Sequence, residues 1–175
     1  ADPASRCYAG SGIIRPVSLE FLGPVHVVPD SVFVSTLRAA PSLADLSIRT
    51  RVANRRGRAQ RVELLSNIVT FDGGDLVAAD RRTLSDKANG AAPVTQILGV
   101  DNPRLWSPDA PNLYALVQEV RVDGVLADTR RTRFGIRTIA VDARQGLRIN
   151  GKPVKLRGGN IHHGNYMVGA AGIAR

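Results

Sequence analysis

From about Val25 onward the sequence predicts an all-β fold, an antiparallel sandwich of seven short strands. Three observations predict it. Apolar and polar residues alternate over short runs, glycine-containing turn dipeptides separate those runs, and no stretch of similar length repeats an apolar residue at helical spacing between caps.

The seven runs, in order, are VFVSTLR (32–38), LSIRTRVAN (46–54), RVELLSNIVTF (61–71), DLVAAD (75–80), PVTQILGV (93–100), LYALVQEVRV (113–122) and LADTRRTRFGIR (126–137). In the second, Ile48, Thr50 and Val52 share one face while Ser47, Arg49 and Arg51 share the other. That is the pattern of a half-buried strand, whose side chains point alternately to opposite faces. Asp123-Gly124 lies between two runs and Asn150-Gly151 between QGLRI and KPVKL, and both pairs supply the positive φ of a tight hairpin turn. Asp72-Gly73-Gly74 makes a looser one. Residues 1–22 and 139–175 fall outside this rhythm and read as pieces of neighbouring units.

Composition excludes several classes. At 175 residues, 43% hydrophobic and 22% charged, the chain suits a folded globular protein rather than a disordered or fibrous one. No apolar run approaches the roughly 18 residues of a membrane span, so no membrane partner is expected. The first 15 residues lack a basic start followed by an apolar core, so no signal peptide is visible. The chain reads as soluble, with cytoplasm and periplasm both left open. Cys7 is the single cysteine, which rules out an intrachain disulfide and a thiol metal cluster. The net charge is +9, but the cations are mostly arginines spread along the chain, 21 against 3 lysines, a usage that fits a GC-rich bacterial source. With four phenylalanines, three tyrosines and one tryptophan there are few rings to stack bases, so no nucleic-acid partner is expected.

No complete active site is legible in the residues themselves. His162 and His163 are adjacent, so on a strand they point to opposite faces; His26 is remote, and no metal site is expected. Arg157-Gly158-Gly159-Asn160 lacks the glycine spacing of a phosphate loop. Gly10-Ser11-Gly12 lacks the frame of a nucleophile elbow. The three glutamates, Glu20, Glu63 and Glu119, each sit in a strand-like run with arginine or apolar neighbours, and read as surface or ion-paired groups rather than a catalytic pair.

The order of the longer motifs carries more. YAGSGIIRPVSLE, NPRLWSPDAPNLYALVQEVRVDG, FGIRT, INGKPVKLRGGNIHHGN and VGAA, at these separations, resemble glycoside hydrolase family 2, the family of β-galactosidases, β-glucuronidases and β-mannosidases. The chain departs from the family's pattern at Cys7, Ile14, Ser18 and Gly164.

The resemblance implies that residues 1–22 end an N-terminal jelly-roll sugar-binding domain, that 23–138 are an immunoglobulin-like β-sandwich, and that 139–175 are the hairpin and first strand that open a (β/α)8 barrel, here truncated. A whole barrel takes about 250 residues. The resemblance further implies a retaining β-glycosidase, most similar to the β-galactosidases, whose two catalytic carboxylates lie outside these residues. Asn160 and His162 match the family's sugar-contacting pattern and are the substrate-binding residues it implies. No catalytic residue and no cofactor is expected in this segment, and the divalent cation of a parent enzyme is left open. Its expected partners are a β-glycoside substrate, met through the parent enzyme, and the neighbouring sugar-binding and barrel domains. The alternative is a free-standing sandwich module that binds carbohydrate or a protein; it would need an exposed aromatic platform, for which Trp106 is the one tryptophan.

Overall fold

The computed structural model describes residues 17–86 and 89–159, and within them Leu22–Lys155 form one compact unit. All regular structure among the described residues is β, and every strand pair is antiparallel.

The first sheet is built on β3 (Leu43–Asn54), which pairs along its full length with β6 (Gly90–Asp101). The opposite edge of β3 is shared. β1 (Val25–Val27) takes the end at Val52–Asn54, and β2 (Phe33–Ala39) takes the run from Ala44 to Arg49, with a bulge between Thr36 and Arg38. The second sheet has the order β5 (Leu76–Asp86), β4 (Gln60–Thr70), β7 (Tyr114–Val122), β8 (Val125–Phe134).

The alternation in the sequence places one face of each sheet inward. On β6, Val94, Gln96, Leu98 and Val100 are buried while Thr95, Ile97 and Gly99 between them are exposed. Side chains from both sheets meet in two apolar clusters. One gathers Leu46, Ile48, Leu98, Ile68, Leu116 and Ile136; the other gathers Val25, Val27, Val52, Val62, Leu64 and Val120. Between β3 and β7, and between β4 and β6, the inward positions are polar instead: Thr50, Ser66, Gln96 and Gln118 are each at most 2% exposed.

Those four side chains satisfy one another across the sheets. Gln118 Nε2 donates to Thr50 Oγ1 at 2.9 Å and to Ser66 Oγ at 3.0 Å, and Ser66 Oγ donates to Gln96 Oε1 at 2.7 Å. Gln96 Nε2 reaches Asp80 Oδ2 on the edge strand β5 at 3.1 Å, where Arg82 also pairs with Asp80 at 3.0 Å. A buried polar group without a partner is costly, so this layer is tolerated because its members bond each other.

The two sheets hold eight strands among the described residues, where alternation alone marks seven. The addition is β1, three residues buried without a break, so period-2 patterning has nothing to display. A side chain completes its hydrogen bonding: Val27 N donates to Asp128 Oδ2 on β8 at 2.9 Å. The fourth expected run, 75–80, also proves longer, because β5 continues through Arg81 and Arg82 to Asp86. Charged side chains suit an exposed edge strand, and they mask the pattern there.

After β8 the chain passes β2, where Arg137 N donates to Thr36 Oγ1 at 3.3 Å. It then forms a small meander of β9 (Ile139–Asp142), β10 (Gly146–Ile149) and β11 (Lys152–Pro153). Asp142 Oδ1 accepts from Arg144 N and Gln145 N, both at 2.8 Å, and so builds the first turn of the meander. Both expected tight turns are present, with φ of 50° and 82° at Asp123-Gly124 and 51° and 75° at Asn150-Gly151.

Candidate functional site

Three of the motif stretches, those around Trp106, Gly135 and Asn150, meet at one place: the junction where the sandwich hands the chain to the meander. The loop 102–113 folds on itself, with Trp106 bridged to Pro111 and Ser107 N donating to Ala110 O at 2.9 Å. Asn112 Nδ2 donates to Leu105 O at 3.0 Å, and buried Tyr114 accepts the Arg104 N–H on its hydroxyl at 2.8 Å. This loop is therefore held from inside by its own side chains.

Residues 135–138 lock onto it. Trp106 N donates to Ile136 O at 2.8 Å, and the Arg137 guanidinium lies 4.6 Å from the Trp106 ring centroid. Gly135 must stay bare: a Cβ there would sit 2.8 Å from Trp106 Cβ and 2.9 Å from Cγ. The FG-x-R stretch thus supplies a gap for the indole, a backbone acceptor and a cation over the ring. Trp106 is half-buried under these groups and does not offer a free stacking platform.

Asn150 joins the meander to the same loop. Its Nδ2 donates to Trp106 O at 2.9 Å, its Oδ1 accepts from Thr138 N at 3.0 Å, and its own N–H donates to Thr138 O at 3.0 Å. Sequence reading placed Asn150 only in a turn. Its second task was hidden because both of its partners are backbone groups, which leave no mark in a sequence.

The expected substrate-binding residues, Asn160 and His162, lie outside the described residues, as do His163 and Cys7. His26 is buried in β1, where its Nδ1–H donates to Gly23 O at 2.7 Å. Glu63 and Glu119 occupy outward positions of the second sheet: Glu119 pairs with Arg121 at 2.7 Å, and Arg61 stands 3.9 Å from Glu63. Each carboxylate is matched by a cation on its own strand, which is an arrangement of surface ion pairs. Among the described residues no three His, Cys, Asp or Glu side chains gather to hold a metal. No helix among them is long and apolar enough to cross a membrane.

Many arginines already have partners on the sheets. Arg49 lies 4.9 Å from the Phe33 ring centroid, Arg131 and Arg133 lie 5.6 and 6.0 Å from that of Phe71, and Arg38 pairs with Asp45 at 2.9 Å. An open groove of about 360 Å³ beside the β7–β8 turn is lined by Pro24, Arg56, Asp123 and Leu126 among others, and presents no pair of groups placed for acid and base chemistry.

The chain belongs to the glycosyl hydrolases family 2, whose family model matches residues 25–137. A β-galactosidase of Bacteroides ovatus is 36% identical over 97% of the chain, which spans 20% of that protein. The crystal structure of a glycosyl hydrolase family 2 member from Bacteroides cellulosilyticus superposes with a TM-score of 0.79 at 32% identity, over 86% of this chain and 21% of that one. A Bacteroides uniformis β-glucuronidase superposes with a TM-score of 0.75 at 29% identity, over 85% of this chain and 18% of that one. The chain therefore spans about one fifth of the length of the relatives it matches.

Proposed function

We propose that this chain is the sandwich segment of a larger retaining β-glycosidase, most similar to the β-galactosidases, that hydrolyses terminal β-glycosidic bonds. The observation that carries the reading is the family match over residues 25–137 in a chain that spans one fifth of a β-galactosidase. In this reading residues 1–22 close an N-terminal jelly-roll sugar-binding domain, 23–138 are an immunoglobulin-like sandwich, and 139–175 open the (β/α)8 barrel.

Two carboxylates about 5–5.5 Å apart would act on later barrel strands, one as nucleophile and the other as acid and then base. Asn160 and His162 would contact the sugar, gaining strength as charge develops at the transition state. The sandwich would brace the barrel against its neighbours. Ile139 and Val141 support this bracing role: at 59% and 80% exposed, they leave an apolar meander face uncovered in the isolated chain.

The test compares this chain with the full-length protein encoded at its locus, using nitrophenyl β-galactoside, β-glucuronide and β-mannoside. Full-length protein is expected to cleave the galactoside, and the 175-residue chain none of the three. Turnover by the chain alone would place the catalytic carboxylates within it and overturn the reading.

A further inference from the structure

We infer that the groove beside the β7–β8 turn seats an acidic, aliphatic peptide segment that the parent protein supplies from outside these 175 residues. The inference rests on the reading above, that the chain is one segment of a longer protein.

The groove, of about 360 Å³, is apolar along most of its lining. Pro24, Val25, Val122 and Leu126 contribute to its walls, and Arg56 and Asp123 line it as well. Where β8 begins, two successive aliphatic side chains stand in water, Val125 at 71% and Leu126 at 52% exposed. Exposed apolar surface around a concave site marks a place of contact.

Arg56 is held in readiness there. The loop 55–59 that carries it is pinned by Asn54, which is fully buried: Asn54 Oδ1 accepts from Arg56 N and Asn54 Nδ2 donates to Arg58 O, both at 3.0 Å. Arg55 N donates to Pro24 O at 2.7 Å and ties the loop to the groove wall. The Arg56 guanidinium donates through Nη1 to Gln60 Oε1 at 3.3 Å. That bond restrains the side chain and leaves other N–H donors for a ligand, so binding costs less conformational entropy. Among the described residues no carboxylate pairs with Arg55, Arg56 or Arg58, whereas Arg61 and Arg121 have acids on their own strands. The loop thus holds three uncompensated cations, and a carboxylate is the group that matches them.

Chemistry and size select the occupant. No aromatic ring lines the groove, so it offers a sugar no stacking platform. Aliphatic walls beside a guanidinium suit a peptide that carries Leu, Ile or Val next to Asp or Glu. A second copy of this chain is disfavoured, because each copy carries a net charge of +9. A separate protein needs about 1,000 Å² of interface for a stable complex, more than so small a groove offers. A segment of the same polypeptide needs far less, because linkage gives it an effective concentration on the order of mM. The β-galactosidase that this chain matches extends well beyond the 20% matched, so a parent of that kind has ample sequence to supply one.

The experiment uses the purified full-length protein. Leu126→Cys is labelled with N-ethylmaleimide, natively and in denaturant, and the rate is read by mass spectrometry of the peptide that contains position 126. In parallel, p-benzoylphenylalanine is placed at position 126 and irradiated, and the cross-linked peptide is sequenced. Both are repeated with Arg56→Gln, which removes the charge and keeps an amide donor, and with Arg56→Lys, which keeps the charge. Native labelling is expected to be about tenfold or more slower than in denaturant, although half of the Leu126 side chain is exposed in this chain. The cross-link is expected on a peptide outside residues 1–175 that carries Asp or Glu beside an aliphatic residue. Arg56→Gln should speed labelling by about fivefold or more and weaken the cross-link, and Arg56→Lys should recover protection to within about threefold. Four results would each overturn the inference: native labelling as fast as in denaturant, a cross-link within this chain or between two chains, protection unchanged by Arg56→Gln, or no recovery in Arg56→Lys. Turnover of nitrophenyl β-galactoside by the same samples tests the glycosidase reading separately, and its absence would sink that reading while leaving the groove result standing.

Discussion

Replacing Gln118 by leucine tests whether the polar layer is a mutually dependent set. Leucine is close to glutamine in size, so the cavity left behind is small. The cost falls on the hydrogen bonds. Thr50 Oγ1 loses its contacts to Gln118, both as acceptor at 2.9 Å and as donor at 3.3 Å, and is left buried without a partner. Ser66 fares better, because it still donates to Gln96 at 2.7 Å. One orphaned buried hydroxyl costs about 1–3 kcal/mol, and the lost Ser66 contact adds about 1 kcal/mol, so Gln118→Leu should destabilise by about 2–4 kcal/mol. Thr50→Val removes the orphan. The Thr50→Val/Gln118→Leu pair should then be less destabilised than Gln118→Leu alone, with a coupling of about 1–2 kcal/mol. Denaturant unfolding followed by the fluorescence of Trp106, the one tryptophan, measures all four proteins. Additive losses in the pair would refute the reasoning, because they would mean that water or relaxation already satisfies Thr50.

Two further changes probe the junction and the short strand. Gly135→Ala drives a Cβ to within 2.8 Å of the Trp106 side chain and should cost about 1–3 kcal/mol through overpacking, with a shift in Trp106 emission; an unmoved unfolding midpoint would show that the indole yields freely. Asp128→Ala removes the acceptor 2.9 Å from Val27 N and should cost about 1–3 kcal/mol, with faster amide hydrogen exchange concentrated in β1. Exchange at Val27 as slow as in the parent chain would mean that another group holds that strand.

Much of the sandwich was legible because its strands are half-buried. In β3 the sequence puts Ile48, Thr50 and Val52 on one face, and all three are buried, while Arg49 and Arg51 are exposed. The alternation even carried Thr50 inward with its apolar neighbours, although threonine is as often a surface residue. β1 escaped because it is buried on both faces, and the extension of β5 escaped because an edge strand carries charge where a central one would not. The site was legible only in part. The motif order that resembles family 2 agrees with the family match, yet it reads Trp106, Gly135 and Asn150 as separate signatures, and their mutual contacts appear only when loops from three parts of the chain close on each other.

The division follows from the range of the forces. Side-chain alternation and positive-φ turns are local, set within two to four residues, so the sequence alone determined the half-buried strands, the hairpins at Asp123-Gly124 and Asn150-Gly151, and the all-β class. Which partners would satisfy the buried polar side chains depends on residues brought together across the two sheets, such as Thr50 and Gln118, 68 positions apart. Tertiary structure alone could decide that, because a buried hydrogen bond is favourable only once the surrounding core has excluded water.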